Sequence, residues 1–349
     1  MTKSINFAAR LVEVHNMRNF FKRHTIKTVI APEYETNRDM LEFVDKIQER
    51  FNGEGELIFH GRNTLKRFEL KNDDIIVKKF AKPNFINSIV YAAFRKSKAE
   101  RSYINSRGII ERGFHSPTPI AYIEEYKYGK LSDSYYICEY LKESNSMRPY
   151  LDGIEKNDAL LMAFSRYTAE LHCEGILHKD YSPGNILWEY DENSNAYAFY
   201  LVDTNRMKFV EYNDKKYLKN LSRLSFSSQV STFIAKEYVA YMRTVKHMPM
   251  TSKTVETINE YADCFFLRKT YKYALRNILK QPFLLRIKGL WDTGRFFICK
   301  NLKLCKKLSK RIADTLFSVE NNIYIRYIYQ YDTRKVLIRR CNYGEISKK

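Results

Sequence analysis

Closely spaced cysteines are absent from this 349-residue chain. Disulfide frameworks and zinc sites depend on thiols at short, regular spacings, and no CxxC pair occurs. The sequence therefore indicates neither, and reduced thiols in a cytosolic protein are the expectation. The six cysteines are scattered, at Cys138, Cys173, Cys264, Cys299, Cys305 and Cys341.

Long apolar runs are also lacking. Lysine or arginine interrupts each run well short of the roughly 20 residues that a transmembrane helix needs. The N-terminal residues contain no continuous apolar stretch of the kind found in signal peptides. Hydrophobic residues at 44% and aromatic residues at 15% exclude global disorder. We therefore predict a folded protein that does not cross the bilayer.

Positive charge is abundant and unevenly placed. The net charge is +20, and residues 264–349 hold 21 lysines and arginines against five aspartates and glutamates. The same segment is rich in phenylalanine and tyrosine. One basic cluster is ordinarily a solvated helix face. Over so long a segment the pattern favours a polyanionic partner, either an anionic membrane or a nucleic acid.

Two short motifs carry chemistry. The first is His178-Lys179-Asp180-Tyr181-Ser182-Pro183-Gly184-Asn185, and the second is Leu201-Val202-Asp203. Phosphoryl transfer from ATP needs one carboxylate to accept the proton of the attacking hydroxyl. It also needs an amide oxygen and a second carboxylate to hold magnesium against the triphosphate. Asp180, Asn185 and Asp203 are the residue types that this chemistry requires.

The segment between the two motifs brings the metal ligands together. Residues 186–190 and 196–202 are aliphatic and aromatic runs, and the polar residues 191–195 between them predict a hairpin. The midpoint of positions 185 and 203 falls inside the turn. Antiparallel pairing therefore returns Asp203 to the end of the hairpin that carries Asn185, and two hard oxygen ligands lie side by side, as magnesium prefers.

The remaining pattern predicts a two-lobed α+β protein. Predicted strands cover 57–60, 64–70, 75–80, 120–123 and 135–141, and one helix covers 85–112. Predicted helices of the second lobe cover 158–172, closed by Gly175, and the segments 215–243 and 254–280. We divide the chain into an N-terminal extension (1–25), an ATP-binding N-lobe (26–141), a catalytic C-lobe (142–264) and a basic, aromatic-rich helical extension (265–349).

This order of parts resembles the protein-kinase-like superfamily over residues 55–265. The resemblance implies that Asp180 is the catalytic base and that Asn185 and Asp203 are the magnesium ligands. It also implies that His178 braces the catalytic loop rather than transferring a proton.

The resemblance further implies a third-strand lysine that neutralises the ATP phosphates, and a partner glutamate. Strand alternation alone admits Lys78 or Lys79. We favour Lys78, because it shares an inward face with Phe80 and leaves Lys79 in water. For the partner we favour Glu100, on the helix that follows; Glu111 lies near the helix end.

The nucleotide-binding parts depart from the protein-kinase form. The phosphate-covering turn Gly61-Arg62-Asn63 holds a single glycine, and the whole chain has only 12. Its backbone amides, with Arg62, are expected to cover the phosphates, while adenine is expected to meet the backbone from Glu139 to Leu141. The metal motif is Asp203-Thr204-Asn205 rather than Asp-Phe-Gly.

These departures are typical of small-molecule and glycan kinases, and the chain resembles the lipopolysaccharide kinase family. The resemblance covers residues 26–245. It is carried by six stretches, which are Gly61-Arg62-Asn63, Val77-Lys78-Lys79-Phe80, Arg95 to Tyr103, Ser116-Pro117-Thr118-Pro119-Ile120-Ala121, His178 to Asn185, and Asp203 to Met207. It implies a kinase that uses ATP and Mg²⁺ to phosphorylate an inner-core sugar of lipopolysaccharide, with Kdo preferred over heptose.

The expected partners are a lipid-linked core acceptor and, through the basic extension, an anionic membrane surface. Nucleic acid is the less favoured partner. The expected location is cytoplasmic, peripheral on the inner face of the inner membrane. Two other hypotheses remain, a kinase of a soluble alcohol such as an aminoglycoside or choline, and a non-catalytic kinase-like scaffold.

Overall fold

The computed structural model describes residues 24–278, 325–327 and 338–340. The chain forms two compact units. Within the described residues, the first contains 24–145, 174–180 and 185–210, and the second contains 146–173, 181–184 and everything from 211 onward. The predicted N-terminal extension up to residue 23 and most of the predicted basic extension lie outside the described residues.

A six-stranded sheet forms the centre of the first unit. Its strands run antiparallel in the order β1-β5-β6-β4-β3-β2. The bounds are β1 (His24–Ile30), β2 (Glu56–His60), β3 (Thr64–Glu69), β4 (Asp74–Lys79), β5 (Pro119–Lys127) and β6 (Lys130–Glu139), and a two-residue strand, β7 (Asn145–Ser146), follows. Five of the six agree with the predicted strands, whereas β1 has no counterpart in the prediction.

Helices cover both faces of this sheet because strand residues alternate between two apolar sides. On one face, α1 (Arg38–Asp45) and α2 (Ile47–Gly53) pack against the side that holds Ile75 and Val77. On the other face, residues of a later helix pack with Phe80 and Tyr136. Lys78 lies between Val77 and Lys79 on β4, so alternation directs it to the second face.

The predicted single helix over 85–112 is wrong. Two helices occupy the segment, α3 (Phe85–Ala93) and α4 (Lys98–Ile110). The break has a local cause, because the hydroxyl of Ser97 accepts a hydrogen bond from the Glu100 backbone N–H, at 3.1 Å, and caps a new helix. This cap fixes the position of Glu100 in the first turn of α4.

The catalytic motifs belong to the first unit, except for residues 181–184 of the first motif, which belong to the second. They lie on β8 (Ile176–His178), β9 (Ile186–Asp191), β10 (Ala196–Leu201) and β11 (Met207–Phe209), with β8 antiparallel to β11. The predicted β9–β10 hairpin is confirmed, with its register one residue from the predicted pairing. Leu201 faces Ile186, and the Val202 N–H donates to the Asn185 carbonyl at 3.1 Å.

Glycine is required at position 175, just before β8. Gly175 has a φ of +70°, and a Cβ there would lie 2.6 Å from the Val210 carbonyl oxygen. The Gly175 carbonyl in turn accepts from the Val210 N–H at 2.8 Å. Only a residue without a side chain allows this close antiparallel approach at the start of the catalytic segment.

The second unit is helical. Its helices are α5 (Arg148–Leu151), α6 (Asp158–Cys173), α7 (Asp214–Asn220), α8 (Ser228–Thr244) and α9 (Ser252–Ile278), and its short strands are β12 (Ile325–Tyr327) and β13 (Ile338–Arg340). The helical segments expected here are confirmed, and so is the α+β class. Among the described residues, no helix combines the length and apolarity that crossing a bilayer demands.

Candidate active site

Asp203 follows the last residues of β10 in a left-handed conformation, with a φ of 55°. Its Oδ1 accepts from the Lys78 Nζ at 2.5 Å and from the Asn205 Nδ2 at 2.5 Å. The sequence-predicted lysine and the sequence-predicted metal ligand are therefore in direct contact. The Lys78 ammonium also lies 5.3 Å from the centre of the Phe80 ring.

Two opposed effects set the pKa of the Asp203 carboxyl. Burial raises it, while the charge and hydrogen bond of Lys78 lower it, and the net pKa is below the ordinary value. Asp203 is therefore a carboxylate at neutral pH, which is the form that a magnesium ligand needs.

Asn185 is oriented by the catalytic loop. Its Nδ2 donates to the Asp180 backbone carbonyl at 2.8 Å. Since the amide nitrogen is the donor, this hydrogen bond fixes which end of the side chain is oxygen. The Oδ1 is then the end available to a cation, at the end of the hairpin where Asp203 also lies.

His178 is fully buried and holds the loop by both ring nitrogens. Its Nε2 lies 3.0 Å from the Val202 carbonyl, and its Nδ1 accepts from the Asp180 backbone N–H at 3.1 Å. Burial lowers the pKa of the ring, so it is neutral, with its proton on Nε2. This geometry supports the bracing role expected for His178, because one imidazole ties the catalytic loop to Val202, the residue between β10 and Asp203.

Asp180, the predicted base, is partly exposed. About a third of its side chain (35%) is accessible, and its Oδ2 lies 3.7 Å from the Arg206 Nη1. The side chain of Arg206 is 57% exposed. A carboxylate with this access can reach an acceptor hydroxyl from solvent, and a cation stands directly beside it.

Lys79 occupies the other face of β4. Its ammonium lies 3.3 Å from the Asp133 Oδ1 and 5.2 Å from the centre of the Tyr135 ring. The expectation that Lys79 lies in water is wrong, since only 25% of its side chain is exposed. The register of β4 against β6 explains the difference, because Tyr135 faces Lys79 and Tyr136 faces Lys78.

Glu100 does not contact Lys78. Its carboxylate lies 3.5 Å from the Lys27 Nζ and 3.9 Å from the Lys96 Nζ. Lys27 comes from β1, the strand that the sequence did not predict, so its competition for Glu100 could not be anticipated. The alternative, Glu111, is the exposed C-cap of α4. The structure thus places Lys78 with Asp203 and separates it from the expected glutamate.

The remaining predicted ATP residues lie on the same unit. The turn Gly61–Asn63 joins β2 to β3, with the Gly61 N–H donating to the Asn63 carbonyl at 3.1 Å and Arg62 exposed. The Asn63 side chain accepts from the Ala81 N–H, which ties the turn to the end of β4. At the end of β6, the Glu139 N–H donates to the Thr118 carbonyl, and the Leu141 carbonyl accepts from the Ser144 hydroxyl.

Magnesium fits the residues present. Within the part of the chain that the structure describes, no three histidine, cysteine, aspartate or glutamate side chains cluster as a metal site. Magnesium held against a nucleotide does not need such a cluster, because one or two protein oxygens and the phosphates complete its shell. Asn185 and Asp203 would hold it, and it would neutralise charge on the phosphates.

A network of buried hydroxyl groups holds Thr204, the residue that follows Asp203. The sequence did not predict this network. The Thr204 hydroxyl lies 3.0 Å from the Ser106 hydroxyl and donates to the Ser102 carbonyl at 3.1 Å. Ser106 also accepts from Ser116 and from Tyr136, each at 3.1 Å. Small hydroxyl residues scattered over four elements give no sequence signal, and only the fold brings them together.

Comparison with known proteins places the chain. The model of the lipopolysaccharide kinase (Kdo/WaaP) family matches residues 49–244, more than half of the sequence. The protein belongs to this family. One solved structure that resembles it is described as WaaP in complex with acyl carrier protein. That comparison has a TM-score of 0.45 and 16% identity, and it covers 68% of this chain and 98% of the other. A search of curated proteins returned no match.

Family membership establishes the reaction class. The chain is a phosphotransferase with an alcohol group as acceptor, a kinase of the lipopolysaccharide core. Membership also implies the use of ATP. The predictions of kinase family, fold class and enzyme class are confirmed.

Proposed function

We propose that this kinase transfers the γ-phosphoryl group of Mg²⁺·ATP to a hydroxyl of Kdo in the lipid-linked inner core, with heptose as the second choice. The observation that supports this most directly is the contact between Lys78 and Asp203. It brings the expected phosphate-binding lysine to the expected metal ligand, on a unit that also contains Asp180 and Asn185.

Each residue has one role in this proposal. Asp180 accepts the proton of the acceptor hydroxyl, and Lys78 neutralises the nucleotide phosphates. Asn185 and Asp203 hold Mg²⁺, while His178 keeps the loop in place. The turn Gly61–Asn63, including Arg62, covers the phosphates, and adenine binds the backbone from Glu139 to Leu141.

The charge beside the base favours Kdo over heptose. Kdo carries a carboxylate, whereas an unmodified heptose is neutral. The Arg206 guanidinium lies 3.7 Å from the Asp180 carboxylate, so it is within reach of a substituent next to the reacting hydroxyl. Guanidinium groups bind carboxylates through charge-assisted hydrogen bonds. The same charge disfavours cationic acceptors such as aminoglycosides.

The location follows from the acceptor and the charge of the chain. A lipid-linked core sugar is presented at the inner face of the inner membrane during its assembly, where ATP is available. The excess of 21 basic over five acidic residues in 264–349 suits attachment to that anionic surface. We propose a cytoplasmic, peripheral enzyme there.

A panel assay tests the proposal. The purified protein is incubated with ATP, Mg²⁺ and one acceptor at a time, namely Kdo-linked lipid A, a heptosylated core, an aminoglycoside and choline. Mass spectrometry then locates the added phosphate. Phosphate on Kdo is the expected result, phosphate on heptose alone moves the specificity, and transfer only to a soluble cationic alcohol overturns the proposal.

A further inference from the structure

Cations gather on one side of Asp180. The backbone pairing explains how, since Lys179 follows β8, Lys208 lies on the adjacent β11, and the Lys179 N–H donates to the Arg206 carbonyl at 3.2 Å. Helix α4 adds Arg101 to this side, and Arg95 precedes that helix. We call these five residues the basic cluster (Arg95, Arg101, Lys179, Arg206 and Lys208).

Hydrogen bonds fix helix α4 to the turn at residues 203–205, so the positions of the cluster residues on the two elements are held relative to each other. The Asn105 Nδ2 donates to the Thr204 carbonyl at 2.7 Å, and the Thr204 hydroxyl donates to the Ser102 carbonyl at 3.1 Å. Arg101, one turn earlier on α4 than Asn105, is thereby held near Arg206. The cations affect one another, because the pKa of Arg101 is lowered first by burial and then by Arg95 and Arg206. For Lys179 the lowering comes first from desolvation and then from Lys208 and Arg95.

Several cations elsewhere on the same unit are paired with acids. Arg67 pairs with Asp74 at 2.6 Å, Lys27 with Glu124 at 3.3 Å, and Lys79 with Asp133 at 3.3 Å. In the basic cluster, by contrast, the ion pair between Arg206 and Asp180 is the one that the described residues show. A group of like charges with so few acids beside it attracts anionic ligands.

We propose that the four residues of the basic cluster other than Arg206, which serves the sugar itself, bind a phosphate group already carried by the lipid-linked acceptor, at a subsite distinct from that of the sugar being phosphorylated. This inference rests on the proposed function. The proposed function assigns Lys78, Arg62 and Mg²⁺ to the nucleotide phosphates, which leaves Lys179 and Lys208 without a role at the nucleotide. A lipid-linked acceptor enters beside Asp180, and its own phosphates would meet Lys179 and Lys208 at the edge of the site.

The decisive variant is the double substitution Lys179→Gln and Lys208→Gln. Both side chains are exposed, so the fold is expected to survive, which thermal unfolding checks. The charge-retaining pair Lys179→Arg and Lys208→Arg is the rescue variant. The matched control removes two exposed cations elsewhere on the unit, through Arg38→Gln and Lys71→Gln.

Two Kdo-linked lipid acceptors, one with its phosphates and one enzymatically dephosphorylated, are compared in phospholipid-free detergent micelles. For wild type and rescue variant, the phosphorylated acceptor should have a KM lower by about tenfold, as loss of a charge-assisted contact predicts. The double glutamine variant should lose this preference while its KM for ATP stays unchanged. Equal KM values for both acceptors in the wild type, or a rise in the KM for ATP, would overturn the inference.

Equilibrium binding separates this inference from the proposed function. Both acceptors are titrated into the ADP-bound protein, where no transfer occurs. Phosphate-dependent binding that the double glutamine variant loses supports the subsite, even if no sugar is phosphorylated and the proposed function fails. Phosphate-independent binding together with turnover on Kdo keeps the function and rejects the subsite. Loss of phosphatidylglycerol vesicle binding with an unchanged micellar KM would assign the cluster to membrane phosphates and also reject it.

Discussion

The ammonium of Lys78 and the carboxylate of Asp203 are in direct contact, 2.5 Å from Nζ to Oδ1. The two residues come from β4 and from the turn after β10, and each is expected to bind Mg²⁺·ATP. Under the proposed function, nucleotide binding would exchange this ion pair for contacts with phosphate and metal. Only 13% of the Lys78 side chain and 31% of the Asp203 side chain are exposed. Charged groups with so little access to water need a partner, and each of these two residues is the partner of the other.

Replacing the two neighbouring lysines should separate catalysis from stability. Lys78→Ala removes the cation at Asp203, so we expect activity to fall by about 10²-fold or more, as loss of a phosphate-neutralising group predicts. Lys79→Ala breaks the contact with the buried Asp133, so we expect the free energy of unfolding to fall by about 1–3 kcal/mol with activity per folded molecule retained. Steady-state kinetics and urea unfolding measure the two effects, and the reverse ranking would move the phosphate-binding role to Lys79.

Asp180→Asn should affect the chemical step alone. The amide cannot accept the acceptor proton, so kcat should fall by about 10²–10⁴-fold while ATP binding stays near the wild-type value. Calorimetric titration with ATP and a single-turnover assay check this. Asp45→Asn, at an exposed end of α1, is the control for loss of one negative charge. A wild-type rate for Asp180→Asn would mean that the catalytic loop is misassigned.

The sequence predicted best where function restricts residue type and spacing together. Asp180, Asn185 and Asp203 lie on the predicted loop and hairpin, and alternation directed Lys78 to the face where Asp203 meets it. Such patterns are local, so a register error of one residue in the β9–β10 hairpin did not separate Asn185 from Asp203.

The sequence did not predict which residues of distant strands contact Glu100 and Lys79. Glu100 was expected beside Lys78, but β1 brings Lys27 to it, and β1 belongs to a segment with no evident strand pattern. Lys79 was expected in water, yet the pairing of β4 with β6 covers it with Tyr135. In both cases a distant strand decided the partner, and periodicity within one segment carries no information about that strand.

The hydroxyl network beneath Asp203 should tune metal binding. Thr204→Val removes the donor to the Ser102 carbonyl and the contact with Ser106, so we expect a loss of about 1–3 kcal/mol in stability. Because Thr204 anchors the turn that holds Asp203 in its left-handed conformation, the Mg²⁺ concentration for half-maximal activity should also rise.

Ser165→Ala is the matched control for Thr204→Val. Its hydroxyl is also buried and donates to the Leu161 carbonyl within α6 of the second unit. This variant should lose stability without any change in Mg²⁺ dependence. An unchanged Mg²⁺ requirement in Thr204→Val would restrict the network to a structural role.

Acid should destabilise the second unit through His172. The ring is fully buried between the Tyr238 hydroxyl, 3.0 Å from Nδ1, and the Asn220 Oδ1, 3.3 Å from Nε2. Burial lowers its pKa from 6.5 to about 3. Between these two pH values, His172 is protonated in the unfolded chain and neutral in the folded chain. Stability is therefore complete above the unfolded pKa and declines as the pH falls below it, by about 1.4 kcal/mol per pH unit.

Urea unfolding at about pH 7 and about pH 5 measures the decline, which should be about 2 kcal/mol for one such histidine. His172→Gln keeps a donor and an acceptor for the two partners and cannot titrate, so its stability should depend less steeply on pH. His178, whose pKa is also lowered by burial, leaves part of the slope in place. The control variant His60→Gln, at an exposed residue, should show the wild-type dependence of unfolding free energy on pH. If His172→Gln also shows the wild-type dependence, His172 is not its cause.

The basic C-terminal segment should bind anionic membranes by screened charge. The test variant replaces four lysines by glutamate, at Lys303, Lys306, Lys307 and Lys310. We expect it to release from phosphatidylglycerol vesicles while its ATP hydrolysis continues. The reason is that clustered cations attract an anionic surface over about a Debye length. Wild-type binding should weaken with salt, leaving a salt-resistant part from Phe283, Leu284, Leu285, Phe296 and Phe297, whose apolar side chains suit shallow insertion. Activity should fall on membrane-embedded acceptor and persist on acceptor in micelles.

The control for net charge reverses four exposed cations elsewhere, at Arg38, Lys71, Lys215 and Lys236. This control variant should bind vesicles more tightly than the C-terminal variant. Vesicle binding that survives the C-terminal reversal, or tighter binding to RNA than to anionic lipid, would contradict the docking role, because either result would show that the charge serves another partner.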